Sequence, residues 1–416
     1  MALSSKLRLL YCSPYKVFKK TVTSVPTTTA SKDRFYSGKE HMSAWVVPSF
    51  GSLEQLQLSE SVPIPVINNH KEVVVKVRAA SINPIDVSMV GGYGNVLLSA
   101  IRQCESFLNV GDESLPCPLI LGRDFAGEVV AKGTSVRPDI KIGDIVYGVV
   151  PAQQQGCHAD LVVASDNLVR HVPEGVPLSE AASLLYCGMT AWCALCITGD
   201  LLWSNKEGKK VLIIGGAGGV GSIAVQMLKA WNLQVVATCR TDAIHLLERL
   251  GTDVVIDYTA PDAMKNLEHS GKYDIILDCA GNVTHYTYIP FLKDWSNSKY
   301  ITLRSPLLAN TDKFGLMAGM VKNATEIVRS NVISGAPTRG STIRWAYFLP
   351  LETGVEELHT LFTQKKIKPI VKEIFPYQEL PKAYAKVGEG HNRGKVVVVR
   401  DKETSTSQPF KSPFAI

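Results

Sequence analysis

The strongest constraint on this chain is a run of five glycines in seven residues, Gly215-Gly-Ala-Gly-Gly-Val-Gly221. An apolar stretch at 211–214 runs into it. A helical pattern with Ile223, Val225, Met227 and Leu228 on one face runs out of it. Gly216, Gly218 and Gly221 satisfy G-x-G-x-x-G, and the strand before and helix after give that match its weight. The first glycine makes the tight turn, the second lets backbone approach a pyrophosphate, and the third allows close helix–strand packing. The amides of the loop then face an anion at a helix N-terminus.

The rhythm that follows agrees with the loop. Strands are expected at 234–238, 254–256, 273–277 and 300–303, with a helix at 242–250, and a helix at 180–195 precedes the loop. Strands alternating with helices imply βαβ units and a doubly wound parallel α/β sheet, expected over 176–340. Residues 43–175 read differently, as short strands at 72–77, 125–130, 145–150 and 160–163 separated by Gly/Pro turns. That density suggests a β-rich, barrel-like domain, with 94–118 breaking it as an insertion or long loop. Helices at 354–364 and 381–387 and a strand at 395–399 lie in a segment, 341–402, expected to return to the β-rich domain. A polar tail occupies 403–416.

The 416 residues allow two to three domains. No uninterrupted apolar run approaches the roughly 18 residues that span a bilayer, so no transmembrane segment is expected. Nine cysteines are too sparse and too odd in number for a disulfide scaffold. The net charge of +6 lies wholly in the first 34 residues, which hold seven bases and only Asp33 as an acid. A neutral body gives no overall basic footprint for nucleic acid. The Ser/Thr-rich, acid-poor head, ending at Arg34-Phe-Tyr-Ser37, has the composition of a mitochondrial transit peptide over 1–36. A matrix location follows from that reading.

The second strand of the nucleotide unit ends in Thr238, Cys239 and Arg240. An enzyme that binds NAD places Asp or Glu here for the ribose hydroxyls. Arg240 suits a 2′-phosphate, so NADPH is the expected cofactor, although Asp242 stands close enough in sequence to pair with Arg240.

A β-rich domain before a nucleotide domain resembles the medium-chain dehydrogenase/reductase superfamily, from about Ser43 to Arg400. Ala217-Gly-Gly-Val-Gly221 with Gln226 and Lys229 resembles its zinc-free quinone-oxidoreductase branch. Trp45-Val-Val, Asn83-Pro-Ile-Asp-Val87, Gly92-Tyr-Gly94, Gly122-Arg-Asp124, Thr190-Ala-Trp192, Ile256-Asp-Tyr258, Arg344-Trp-Ala346 and Arg393-Gly-Lys395 narrow it to a mitochondrial subgroup. Gly216-Ala217 departs from the Ala-Ser usual there and removes a hydroxyl that could reach phosphate. The resemblance implies a GroES-like barrel beside a Rossmann-type sheet. It implies cofactor contacts at Ala217, Gly218, Gly219, Val220, Gly221, Cys239, Arg240, Tyr258, Leu303, Ser305, His391, Asn392 and Arg393.

Zinc members carry a Cys on the turn where Asn83-Pro-Ile-Asp86 stands and a His-Glu pair where Arg123-Asp124 stands. Neither element here offers the thiolate or imidazole that zinc prefers, so no metal is expected. Cys193-x-x-Cys196 lies on an apolar helix and reads as packing. Without metal, the acceptor is polarised by hydrogen bonds and protonated by a side chain or water. Tyr93 is the expected acid. Asn83 could orient the substrate, and Asp86 anchors the turn. The activity implied is hydride transfer from NADPH to a quinone or enone, with a place in ubiquinone metabolism. An enoyl-thioester reductase is the rival enzyme. A scaffold holding NADPH and acting through a reticulon-type protein partner is the rival of another class. A homodimer is left open.

Overall fold

The computed structural model describes residues 40–108, 118–281 and 285–400. The expected transit peptide and the polar tail lie outside the described residues.

The first half supplies β1 (His41–Val47), β2 (Gln57–Pro63), β3 (Glu72–Ile82), β4 (Leu119–Ile120), β5 (Asp124–Lys132), β6 (Ile145–Val149), β7 (Leu161–Ser165) and β8 (Val169–His171). Among these run the helices α1 (Pro84–Val90) and α2 (Asn95–Leu108). The 11-residue β3 bends through register shifts and pairs antiparallel with both β5 and β7. Its alternate valines Val73, Val75 and Val77 face a core shared with Phe125, Val129, Val146 and Val162. Such burial is worth about 1.5–3 kcal/mol per large apolar side chain.

The chain then crosses on α3 (Leu178–Ala181) and α4 (Leu185–Trp192), which continues as a π turn over Cys193–Thr198. Leu178–Thr198 is long and apolar enough, by length and composition alone, to cross a membrane, but 78% of its most apolar window is buried inside the molecule. It is the core helix between the two sheets. Leu185, Met189, Trp192 and Leu195 pack with Ala79 and Tyr147 of the barrel and with Val211 and Ile213 of the nucleotide sheet in one cluster. Cys193 and Cys196 are buried there as free thiols, as the packing reading expects.

The nucleotide sheet is built from β9 (Lys210–Ile214), β10 (Gln234–Cys239), β11 (Val254–Asp257), β12 (Ile275–Asp278), β13 (Ser298–Thr302) and β14 (Ser341–Trp345), all parallel, in the order β11-β10-β9-β12-β13-β14. The helices along it are α5 (Gly219–Ala230), α6 (Ile244–Arg249), α7 (Ala263–His269), α8 (His285–Tyr288), α9 (Leu307–Phe314) and α10 (Leu316–Ser334). After α11 (Glu352–Thr363), β15 (Val371–Pro376) and β16 (Lys395–Val399) rejoin the barrel, with α12 (Leu380–Gly388) between them. β16 pairs antiparallel with β3.

Two expectations need correction. Residues 95–108 form a helix rather than a loop, and its first turn is capped from outside the segment. The Asp312 carboxylate on α9 accepts from the backbone N–H groups of Gly94 (2.6 Å) and Val96 (3.0 Å). The return to the barrel also comes later than 341, because Ser341–Trp345 is the sixth strand of the nucleotide sheet. It is a half-buried edge strand without the apolar run of an interior one.

Candidate active site

The strand β9 ends at Ile214 and is followed by Gly215, whose φ of +78° is the left-handed turn that glycine tolerates best. The Gly216 N–H donates to Thr238 O (2.9 Å), tying the loop to β10. The loop glycines then divide by what a side chain would meet. A Cβ on Gly216 would lie 2.8 Å from the Ala237 Cβ, and one on Gly221 2.3 Å from Gly215 O. A Cβ on Gly218 would meet nothing nearer than Gly215 O at 3.6 Å. Gly216 and Gly221 are therefore glycines for packing, and Gly218, the residue preceding α5, holds space open beside the amides of Gly219, Val220 and Gly221. Ala217 is buried beneath them. This open cradle at a helix N-terminus fits the pyrophosphate of a nicotinamide dinucleotide.

At the end of β10 the Cys239 thiol is buried, and burial ahead of the Asp257 carboxylate pushes it up to about 11, so it stays a neutral thiol. Arg240 next to it is exposed and forms no ion pair among the described residues. Asp242 pairs instead with Arg393 (3.0 Å), which reaches over from the segment before β16. That contact holds the Asp242 carboxyl below its ordinary value. Arg240 also acts on this carboxyl from a distance, so Asp242 stands between two cations with Arg393 as its bonded partner. Tyr258 donates its N–H to Cys239 O (3.0 Å) and leaves its ring 48% exposed at the same edge. His391, exposed at φ +55°, accepts at its carbonyl from Arg393, and Asn392 Nδ2 donates to Lys386 O (3.3 Å).

Tyr93 follows the Gly91-Gly92 turn at the end of α1, and the Asp312 clamp on Gly94 presses that turn against α9. Burial raises the phenol above its ordinary value, with Asp312 and Tyr347 adding to the rise and Arg304 opposing it. A phenol so placed keeps its proton at neutral pH and can donate it. The opposite wall comes from the ends of β13 and β14. Ser305 and Tyr347 share a hydrogen bond (2.7 Å), Arg304 donates to Gly281 O (2.8 Å), and the Leu303 N–H donates to Asp278 O (3.2 Å). Tyr93 thus comes near Arg304 and Tyr347, the latter bonded to Ser305, at the carboxyl edge of the sheet, where open α/β folds bind ligands.

The floor of the junction is a buried polar cluster. Asn83 is fully buried, with Nδ2 donating to Asp124 (3.1 Å) and Oδ1 accepting from Lys395 Nζ (2.5 Å). Asp124 also accepts from Ser81 (2.7 Å) and the Tyr186 N–H, and lies 3.5 Å from Lys395. Asp86 accepts from the N–H groups of Asn83 (2.8 Å) and Gly122 (3.0 Å) and pairs with buried Arg123 at 3.4 Å. The sequence-adjacent Arg123 and Asp124 therefore serve different partners. Burial works against the Lys395 ammonium, but Cys187, Asp124 and Asp86 outweigh it and hold the amine above its ordinary value. A Cβ on Gly219 would lie 3.1 Å from Cys187 Sγ and 3.2 Å from Lys395 Cδ, so the cluster abuts the glycine loop. The sequence reading expected Asn83 to orient substrate and passed over Lys395 and Cys187. Only Arg393-Gly-Lys395, noted as a subgroup motif, pointed toward it. No three His, Cys, Asp or Glu side chains lie together as metal ligands among the described residues. With an amide, a guanidinium and an ammonium in it, the cluster does not fit a metal ion.

Two family models match the chain. "Alcohol dehydrogenase GroES-like domain" covers residues 69–177, and "Zinc-binding dehydrogenase" covers residues 250–398. The mitochondrial NAD(P)H oxidoreductase RTN4IP1 of Danio rerio is 41% identical over 86% of this chain and 91% of its own length. The Homo sapiens protein of the same name is 39% identical over 86% of this chain and 89% of its own length. The solved quinone oxidoreductase of Coxiella burnetii superposes with a TM-score of 0.68 at 26% identity, covering 87% of this chain and all of that one.

Proposed function

Since the chain belongs to the RTN4IP1 family of NAD(P)H oxidoreductases, within the medium-chain dehydrogenase/reductase superfamily, we propose that it draws hydride from NADPH and delivers it to a quinone or another α,β-unsaturated carbonyl, without zinc. The observation that carries this reading is the cleft itself. A phenol kept protonated stands beside Tyr347 and Arg304 at the carboxyl end of the sheet, the glycine loop forms an open cradle, and no three metal-ligating side chains gather among the described residues.

Bound in the cradle, the reduced nicotinamide supplies a hydride. The residues around it do the rest. The amides of Gly219–Gly221 hold the pyrophosphate, and the exposed Arg240, whose neighbour Asp242 is hydrogen-bonded to Arg393, supports a 2′-phosphate and hence NADPH over NADH. Tyr258 and the 391–393 segment border the adenosine end. Tyr93 Oη gives its proton to the reduced acceptor, while Leu303 and Ser305 line the opposite wall. Asn83 acts here by holding the cluster together, since both ends of its amide are engaged within the protein. The quinone class draws on the Coxiella relative's name. The mitochondrial names of the relatives, together with the basic head, support a matrix location.

Stopped-flow oxidation of NADPH against a panel of quinones and enones, in chelator, tests the reading. Both classes should turn over without metal. Tyr93→Phe should cut enone turnover by roughly 10²–10⁴-fold, the usual worth of an acid. Quinones should lose less, because their reduced anions are weaker bases. Absence of turnover with every acceptor would refute the enzyme reading and favour a scaffold. Equal small losses on both classes would make Tyr93 a wall of the pocket.

A further inference from the structure

The helix α10 is built the reverse of an ordinary surface helix, which turns its apolar stripe to the core and its polar side to water. Its inward side is polar. Gly319 and Asn323 are buried against α9, and a Cβ on Gly319 would lie 2.6 Å from the Thr311 Cα. Asn310 Nδ2 donates to Asn323 Oδ1 (2.9 Å) and to Glu326 (3.1 Å), and Asn323 Nδ2 donates to Leu307 O (3.3 Å). Asn331 faces β14, donating to Ile343 O (3.0 Å) and accepting from the Ile343 N–H (2.8 Å).

The outward side is apolar. At about 100° per residue, Met317, Val321, Ala324, Val328 and Val332 fall in one sector about 80° wide, opposite Gly319 and Asn323. The four larger side chains are 62–78% exposed, and Met320 widens the stripe on one side. A contiguous exposed apolar patch of this kind marks an interaction site. We propose that this face of α10 docks on an anionic lipid surface, lying along it as an interfacial helix does and not crossing it.

Charge selects that occupant. Lys322 and Arg329 are exposed along the flank of the stripe away from Met320. Lys313 Nζ lies 5.2 Å over the ring of half-exposed Phe314, just before the helix. The segment 307–340 holds only two acids, Asp312 and Glu326. Asp312 clamps the N–H groups of Gly94 and Val96, and Glu326 is engaged by Asn310 and Lys322 (3.4 Å). Apolar area edged by cations is the pattern drawn to anionic headgroups. A second copy fits the face less well. Paired antiparallel about a two-fold axis, the stripe would set Lys322 of one chain beside Arg329 of the other, and like charges so placed repel. The face also lies one helix from the expected acid, because α9 packs on α10 and its Asp312 holds the turn that carries Tyr93.

The test floats the full chain with vesicles of phosphatidylcholine alone and of phosphatidylcholine mixed with cardiolipin, an anionic lipid. The unmodified protein should float with the anionic vesicles and far less with the neutral ones. The basic head also attracts anionic lipid, so hydrogen exchange locates the contact. Peptides from 316–334 should exchange more slowly once anionic vesicles are added. Val321→Glu with Val328→Glu should lower the bound fraction about 10-fold, since two apolar anchors become acids. Lys322→Glu with Arg329→Glu should narrow the anionic-over-neutral ratio by about 10-fold or more, the scale of two surface cations. Melting temperature and NADPH affinity should hold in both variants, because these side chains are exposed and lie outside the glycine cradle. Slowed exchange in the head alone, or flotation indifferent to both variants, would overturn the proposal. So would a dimer in sedimentation that Val321→Glu with Val328→Glu splits, with no flotation of the unmodified protein, which would give the face to a second copy. No turnover enters these measurements, so their outcome is separate from that of the hydride reading.

Discussion

The glycine loop and the junction cluster touch at Gly219, yet the chain builds them in opposite ways. The loop is local, since one strand, one turn and one helix within about twenty residues fix its shape. The cluster is assembled from residues 81–86, 122–124, 187 and 395, so Lys395 reaches an Asn83 that stands 312 positions earlier. Local geometry is a property of a motif. Long-range charge pairing is a property of the whole fold, and it appears only once both sheets are in place.

The comparison is sharpest within the loop. Gly218→Val should abolish binding of both NADPH and NADH while leaving the melting temperature nearly unchanged, because the added side chain enters the ligand's space rather than the protein's. Gly221→Val should do the reverse first and lower the melting temperature, since its Cβ would strike Gly215 O at 2.3 Å. Titration of each variant by cofactor fluorescence, set beside a melt, separates the two roles. Loss of folding in Gly218→Val would erase the distinction drawn between these glycines.

The same contrast explains what the sequence could disclose. Strand–glycine–helix and the βαβ alternation placed the nucleotide sheet, and 395–399 matched β16 residue for residue. The helix α2 was illegible because its cap, Asp312, comes from the other domain. The edge strand β14 lacked the apolar run of its neighbours. The 19-residue α10 was bracketed by Gly315 and Gly335, both at positive φ, a boundary signal that went unused. At the site, types and positions in the loop were readable, whereas pairings were not. Beside Arg240, which the sequence placed next to Asp242, the fold brings Arg393 from 151 positions away as its hydrogen-bonded partner.

That pairing leads to the smallest of the expected effects. With Asp242 hydrogen-bonded to Arg393, the exposed Arg240 can turn to a 2′-phosphate, and a charge-assisted contact of that kind is worth roughly 1–3 kcal/mol. Arg240→Ala should narrow the gap between NADPH and NADH affinities by that amount, chiefly by weakening NADPH. Asp242→Ala should not reproduce this loss, because removing the acid releases Arg393 and leaves Arg240 in place. Added salt should shrink the NADPH preference of the unmodified protein, since the contact lies near solvent and is screened. Isothermal titration of both cofactors at two ionic strengths measures all three quantities. A preference for NADH in the unmodified protein would mean that Asp242 reads the ribose hydroxyls after all, and that the Arg393 pair opens when the cofactor binds.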